Sequence, residues 1–354
     1  MSKIKSKKLN KKIKIIGIIL ALLVVAGGCF LAFGGDKADN VKNKIKDATK
    51  KKKKSDEPKI TIVDPDSKSR PYAVMINNIG TARPLQSGLQ DAYIIYEMIV
   101  EGGLTRYMAL FMDQNVDRIG SIRSSRHYYL DYALENDAIY VHHGQSPQAQ
   151  ADFSALNVDR IVVDDSKTGW RDKSLKVSSE HTLFTSTSKL ANGIGKKRTT
   201  RNKDLLLNYS AKSVDLASIA NNKVANKVSI PYSNSVVSSY EYDPEAKVYK
   251  RFVNGKEHTD YVTKKQYTFK NIITYQVKNT TLNDGENKGR QTLHNIGSGT
   301  GYYISEGIAV PIKWEKKSRS EQTKYTLEDG SELKVNDGNT FIQIQPTDRT
   351  LTIE

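Results

Sequence analysis

The chain has 354 residues, 38% hydrophobic and 27% charged, enough apolar material for a buried core and enough length for more than one domain. Its net charge of +16 would suggest nucleic acid if it were spread over the fold. Residues 1–54, however, hold 16 Lys and 3 Asp, a net of +13, which leaves 16 − 13 = +3 for the other 300 residues. That excess is too small for strong sequence-independent binding to a phosphate backbone, so nucleic acid is disfavoured as a partner.

Lys7, Lys8, Lys11, Lys12 and Lys14 precede the apolar run IIGIILALLVVAGGCFLAF, residues 15–33. At 1.5 Å per residue this run spans roughly 28 Å, the thickness of a bilayer core, and the positive-inside rule leaves the lysines in the cytoplasm. The segment 1–33 is therefore predicted to anchor the chain with its body on the extracytoplasmic face of a bacterial membrane. The single cysteine, Cys29, closes the stretch AGGC. It resembles the lipobox cysteine of bacterial lipoproteins, which implies lipidation there; a plain uncleaved signal anchor is the alternative. With no second cysteine, the exported body has no disulfides, thiolate zinc sites or thiol nucleophiles. Residues 34–69 are poor in apolar side chains, carry the run Lys50–Lys54 and read as a flexible tether.

Order is expected from RPYAVMINN at 70–78, a strand entering a loop. DAYIIYEMIVEGG is ambiguous between helix and strand and stops at Gly102-Gly103. RYMALFMD, NDAIYVHHG and VDRIVVDD read as strands and QAQADFSAL as a helix, which makes residues 70–225 an α/β domain. From 226 to 354 the texture is that of antiparallel β-structure: NIITYQV, GIAVPIKW and NTFIQIQP are strands, and Asn254-Gly255 and Asp329-Gly330 predict type I′ hairpins. GSGTG at 297–301 lacks the strand-turn-helix setting of a dinucleotide loop and reads as a turn. The expected class is α+β, an α/β domain followed by a mostly antiparallel β domain behind the membrane anchor.

The densest chemistry lies in GSIRSSRHYYLD, residues 120–131. If Ser124 or Ser125 caps a helix, Arg123 and Arg126 flank an N-terminus whose free N–H groups favour an anion, and guanidinium forks bind phosphate or carboxylate bidentately. With Arg106, these residues form the predicted anion-binding set: Arg106, Arg123, Arg126, Ser124 and Ser125. Asp91, Glu97, Glu101, His127, His142 and His143 could complete a polar cleft, although neighbouring strand residues face opposite ways, so at most one of the two adjacent histidines joins it. Ser124 with His127 is too common a spacing to identify a nucleophile and base. Trp170-Arg171 reads as a loop anchor. The competing reading is internal pairing of the arginines with Asp91, Glu97, Glu101 or Asp131. No metal set, cofactor or catalytic residue is assigned.

Taken together, RPYAVMINN, the VEGGLTRYMALF stretch, IGSIRSSRHYYLD, HHGQSPQA and GTGYYISEGIAVPIKW resemble the YerB family of Gram-positive lipoproteins, over nearly all the chain beyond the tether. The resemblance implies a lipoprotein of two domains, both of unknown function, and supplies no activity. The chain departs from the family pattern at Ser125-Arg126 and at Ser179-Glu180-His181 ahead of Leu183-Phe184-Thr185-Ser186. A fainter similarity of the N-terminal part, through Ser-Ile-x-Arg, is to LytR-CpsA-Psr transferases; it implies arginines that hold a pyrophosphate with a metal ion assisting, though Ser124 stands where those enzymes carry aspartate. The leading expectation is a tethered protein binding an anionic envelope ligand, such as a phosphorylated glycan, lipid pyrophosphate or wall polymer. Alternatives are a wall-polymer transferase and a non-catalytic interaction or structural lipoprotein.

Overall fold

The stretch YAVMIN forms strand β1 (Tyr72–Asn77), and the ambiguous run after it becomes β2 (Ile94–Ile99). All six β2 residues are buried, so both faces of the strand are covered, which explains why its apolar pattern carried no readable period. Strand β3 (Thr105–Phe111), helix α1 (His127–Glu135), β4 (Ile139–His142), helix α2 (Pro147–Ala155) and β5 (Arg160–Val162) follow. The computed structural model describes residues 58–354; Cys29, the apolar segment 15–33 and the tether up to residue 57 lie outside the described residues. Among the described residues no helix is long and apolar enough to cross a membrane.

The later part supplies β6 (Lys223–Val224), β7 (Lys227–Pro231), β8 (Val237–Asp243), β9 (Val248–Val253), β10 (Asn271–Val277), β11 (Gly297–Ser305), β12 (Ile308–Lys316), β13 (Lys324–Leu327) and β14 (Thr340–Pro346). One 11-stranded sheet runs β6-β12-β11-β10-β14-β2-β3-β1-β4-β5, with β13 pairing β12. It is mixed: β14 is parallel to both β10 and β2, and β1, β4 and β5 are mutually parallel, while the remaining pairs are antiparallel. The α/β expectation for 70–225 thus gives way to a mostly β chain with few helices.

The segments 70–225 and 226–354 contribute strands to this one sheet, and residues 60–354 form one compact unit. Helix α1 covers one face, where Tyr96 donates to Glu135 at 2.7 Å and Lys316 meets the same carboxyl group at 2.8 Å. Strands β7–β9 belong to a second, six-stranded sheet over the opposite face. There Arg251 reaches Glu97 at 2.9 Å, with both side chains fully buried.

Two turn expectations fare differently. Asn254 (φ 52°) and Gly255 (φ 72°) both take positive φ, as a type I′ turn requires. At Asp329-Gly330 only Gly330 is left-handed (φ 87°), and Leu327 accepts from Gly330 at 3.0 Å, so that turn is not type I′. GSGTG is no turn: it forms the first half of β11, where a Cβ on Gly301 would lie 2.3 Å from the Thr274 carbonyl oxygen. Its glycines admit close neighbours instead of reversing the chain.

Candidate functional site

The segment after Gly120 lies along the carboxyl ends of the parallel strands β1 and β4. Arg123 N–H donates to the Met75 carbonyl at 3.0 Å, His143 N–H to the Arg123 carbonyl at 3.1 Å, and Ser125 N–H to the Gly144 carbonyl at 3.0 Å. Crevices beyond such strand ends are where open sheets with parallel strands place ligands. Arg106 joins from the neighbouring β3, opposite Asn77 in register.

The serines do not cap the helix. It begins at His127 with Arg126 in the capping position and no side-chain cap, so the arginines precede the first turn. Ser124 contributes its carbonyl, which accepts from Arg106 at 2.8 Å, and the Ser125 hydroxyl accepts from Tyr140 at 2.9 Å.

Glu101 is the hub of the arginines. Arg126 Nε donates to it at 2.8 Å with a second bond from the same guanidinium, and Arg106 donates at 3.1 Å. Burial alone would raise the Glu101 pKa; the Arg126 hydrogen bond and both positive charges outweigh it and bring the carboxyl group to about 2. Arg106 is held down to about 10 by burial and then by the Arg126 charge, with Arg123 adding to the repulsion. Arg123 reaches outward to Glu180 at 2.6 Å, a carboxylate 51% exposed. The Glu180 pKa is lowered, first by that hydrogen bond. Three guanidinium groups against two carboxylates leave 3 − 2 = +1.

Of the acids weighed as internal partners, only Glu101 serves these arginines. Glu97 lies on the other face of the sheet with Arg251. Asp131 pairs with Arg319 at 2.6 Å, and Asp91 lies apart, its pKa raised by burial and by the Asp260 charge. His127 bonds Thr292 at 2.9 Å away from the cluster. The two adjacent histidines diverge as strand geometry requires. His142 stacks on Phe153 at 4.9 Å, and burial lowers its pKa to about 4. His143 bonds the Val163 carbonyl at 2.7 Å and lies 3.4 Å from Arg171.

Glu180, His181 and Asn77 were not among the expected site residues. Asn77 Nδ2 lies 3.0 Å from His181 Nδ1, and His181 Nε2 lies 3.6 Å from Glu180. Their signal was the departure at Ser179-Glu180-His181, but a partner 57 residues from Arg123 has no local mark. Among the described residues no group of three or more His, Cys, Asp or Glu side chains is placed to hold a metal ion.

A family model described as the N-terminal domain of a protein of unknown function (DUF3048) matches residues 60–200, and its C-terminal counterpart matches 228–342. The chain is 29% identical over 286 residues, 78% of its length and 81% of the relative's, to "Putative lipoprotein YerB" of Bacillus subtilis. The crystal structure of the Bacillus subtilis YerB protein superposes with a TM-score of 0.69 at 28% identity, covering 81% of this chain and 94% of that one. With both family segments matched in order and a fold shared over four-fifths of the chain, the protein belongs to the YerB-like family of DUF3048 proteins.

Proposed function

We propose that this protein is an extracytoplasmic lipoprotein, held at the membrane through Cys29, that binds an anionic envelope ligand at Arg123 beside the Arg106–Glu101–Arg126 cluster. The membrane reading rests on the lysine-flanked apolar segment and on the lipoprotein description of the Bacillus subtilis relative. The ligand reading rests on one observation: two buried arginines share a single carboxylate, while Arg123 has only the half-exposed Glu180. A phosphate or pyrophosphate could displace Glu180 and take the Arg123 fork without stranding a buried charge. The transferase alternative has no further observation in its favour.

The test is a thermal-shift titration of wild type and Arg123→Gln with pyrophosphate. Wild type is expected to gain stability with ligand concentration, and Arg123→Gln to melt within about 1 kcal/mol of wild type while losing the response. No response in wild type, or a large stability loss in Arg123→Gln, overturns the reading.

A further inference from the structure

One ring nitrogen beside Arg123 is left without a bond. The backbone orients the Asn77 amide group, because its Oδ1 accepts from the Ile79 N–H at 3.3 Å. Its Nδ2 therefore donates to His181 Nδ1, at 3.0 Å. An accepting Nδ1 places the proton of the neutral ring on Nε2. That Nε2–H has no hydrogen-bond partner among the described residues, since Glu180 Oε1 stands 3.6 Å away, beyond hydrogen-bond reach. The His181 side chain is only 7% exposed, yet Nε2 itself is not sealed and stays open to solvent at the crevice. A buried imidazole thus aims an unused donor at the carboxylate that holds Arg123.

Glu180 fronts both donors and satisfies one. Its Oε2 accepts from Arg123 at 2.6 Å, and the other oxygen falls short of His181. The backbone of its turn is held independently of that side chain: the Ser179 carbonyl accepts from Arg171 and from the Thr182 N–H, the latter at 3.1 Å. Glu180 is half exposed, so its carboxylate can swing into water at little cost while the turn stays in place. A phosphoryl group carries three acceptor oxygens set further apart than the two of a carboxylate. It can therefore take the Arg123 fork and the His181 N–H together.

We infer that His181 is the second ligand contact of the Arg123 site, that the site selects a phosphoryl group over a carboxylate, and that Glu180 is its internal competitor. The inference rests on the Arg123 reading and deepens it. Asn77 is the positioning residue: it fixes which nitrogen of His181 carries the proton, so the ring donates without having to be charged. Glu180 keeps the guanidinium paired in the empty protein and lowers the apparent affinity by the fraction of molecules it occupies.

The experiment is calorimetric titration of the full chain in polyoxyethylene detergent micelles. Glu180→Gln is expected to bind pyrophosphate about fivefold more tightly than wild type, and His181→Phe about tenfold more weakly. In mildly alkaline buffer, where both are dianions, inorganic phosphate should bind more tightly than malonate. Glycerol phosphate and geranyl pyrophosphate present the phosphoryl group without and with a lipid, and the tighter of the two names the source. Because His181→Phe also strands the Asn77 amide, the imidazole N–H proton resonance of His181 in the wild type gives a second readout, and pyrophosphate should shift it. Absence of any pyrophosphate response in wild type and in Glu180→Gln removes the Arg123 reading and this inference with it. Where wild type responds and Arg123→Gln does not, the inference alone is overturned if Glu180→Gln binds no more tightly, if malonate matches phosphate, or if the His181 resonance stays unmoved.

Discussion

Replacing Arg251 by Met tests how the two family segments are held together. The Arg251 guanidinium donates to Glu97 at 2.9 Å, to Tyr107 and Ser238 at 3.0 Å each, and to His258 at 3.1 Å, with Tyr240 as a further partner. Methionine fills much of the volume and makes none of these bonds. The Glu97 carboxylate then stays fully buried on three neutral donors, the hydroxyls of Thr105 at 2.7 Å and Ser238 at 2.8 Å and the Asn78 amide at 3.5 Å. Removing one partner of a buried ion pair costs about 3 to 5 kcal/mol. With a urea m-value of about 3 kcal/mol/M, the unfolding midpoint should fall by about 1 to 1.7 M. Glu97→Gln/Arg251→Met removes the stranded charge as well and should be less costly than the single change. Urea unfolding followed by tryptophan emission, with Trp170 and Trp314 reporting from the two segments in turn, measures both points. The Trp170 and Trp314 transitions should move together, because Glu97 and Arg251 lie 154 residues apart across the shared core. A midpoint shift under about 0.3 M, or a shift seen by one tryptophan alone, would refute the reasoning.

Two further outcomes are expected. The Glu101 carboxyl group titrates near 2 in the fold against a reference value of 4.5, so its contribution is complete above pH 4.5 and lost as pH falls towards 2. Acid unfolding of wild type and Glu101→Gln should therefore converge across that window, and parallel curves would remove Glu101 as the hub. Radiolabelled palmitate should enter the wild-type chain in cells and not Cys29→Ser; equal labelling, or none in either, would leave the apolar segment as a plain signal anchor.

Local composition determined much of this protein. The concentration of lysine before residue 55, the apolar run 15–33 and the lone Cys29 mark the expected export segment, because net charge and continuous hydrophobicity are properties of the chain itself. Strands such as NIITYQV and NTFIQIQP were legible from β-rich apolar runs bounded by breakers, and Asn254-Gly255 from its demand for two positive φ values. What stayed hidden depended on residues distant in sequence. Insertion of β14 between β2 and β10 makes the two segments one sheet, and strand order is set by which faces bury each other, which no local window contains. The arginines of GSIRSSRH were recognisable as a cluster, but their partners Glu101 and Glu180 were chosen by the fold. The GSGTG glycines looked like a turn because glycine signals both reversal and close approach; only the tertiary packing of Trp314 under Gly299 and of Gly301 against Thr274 decided which.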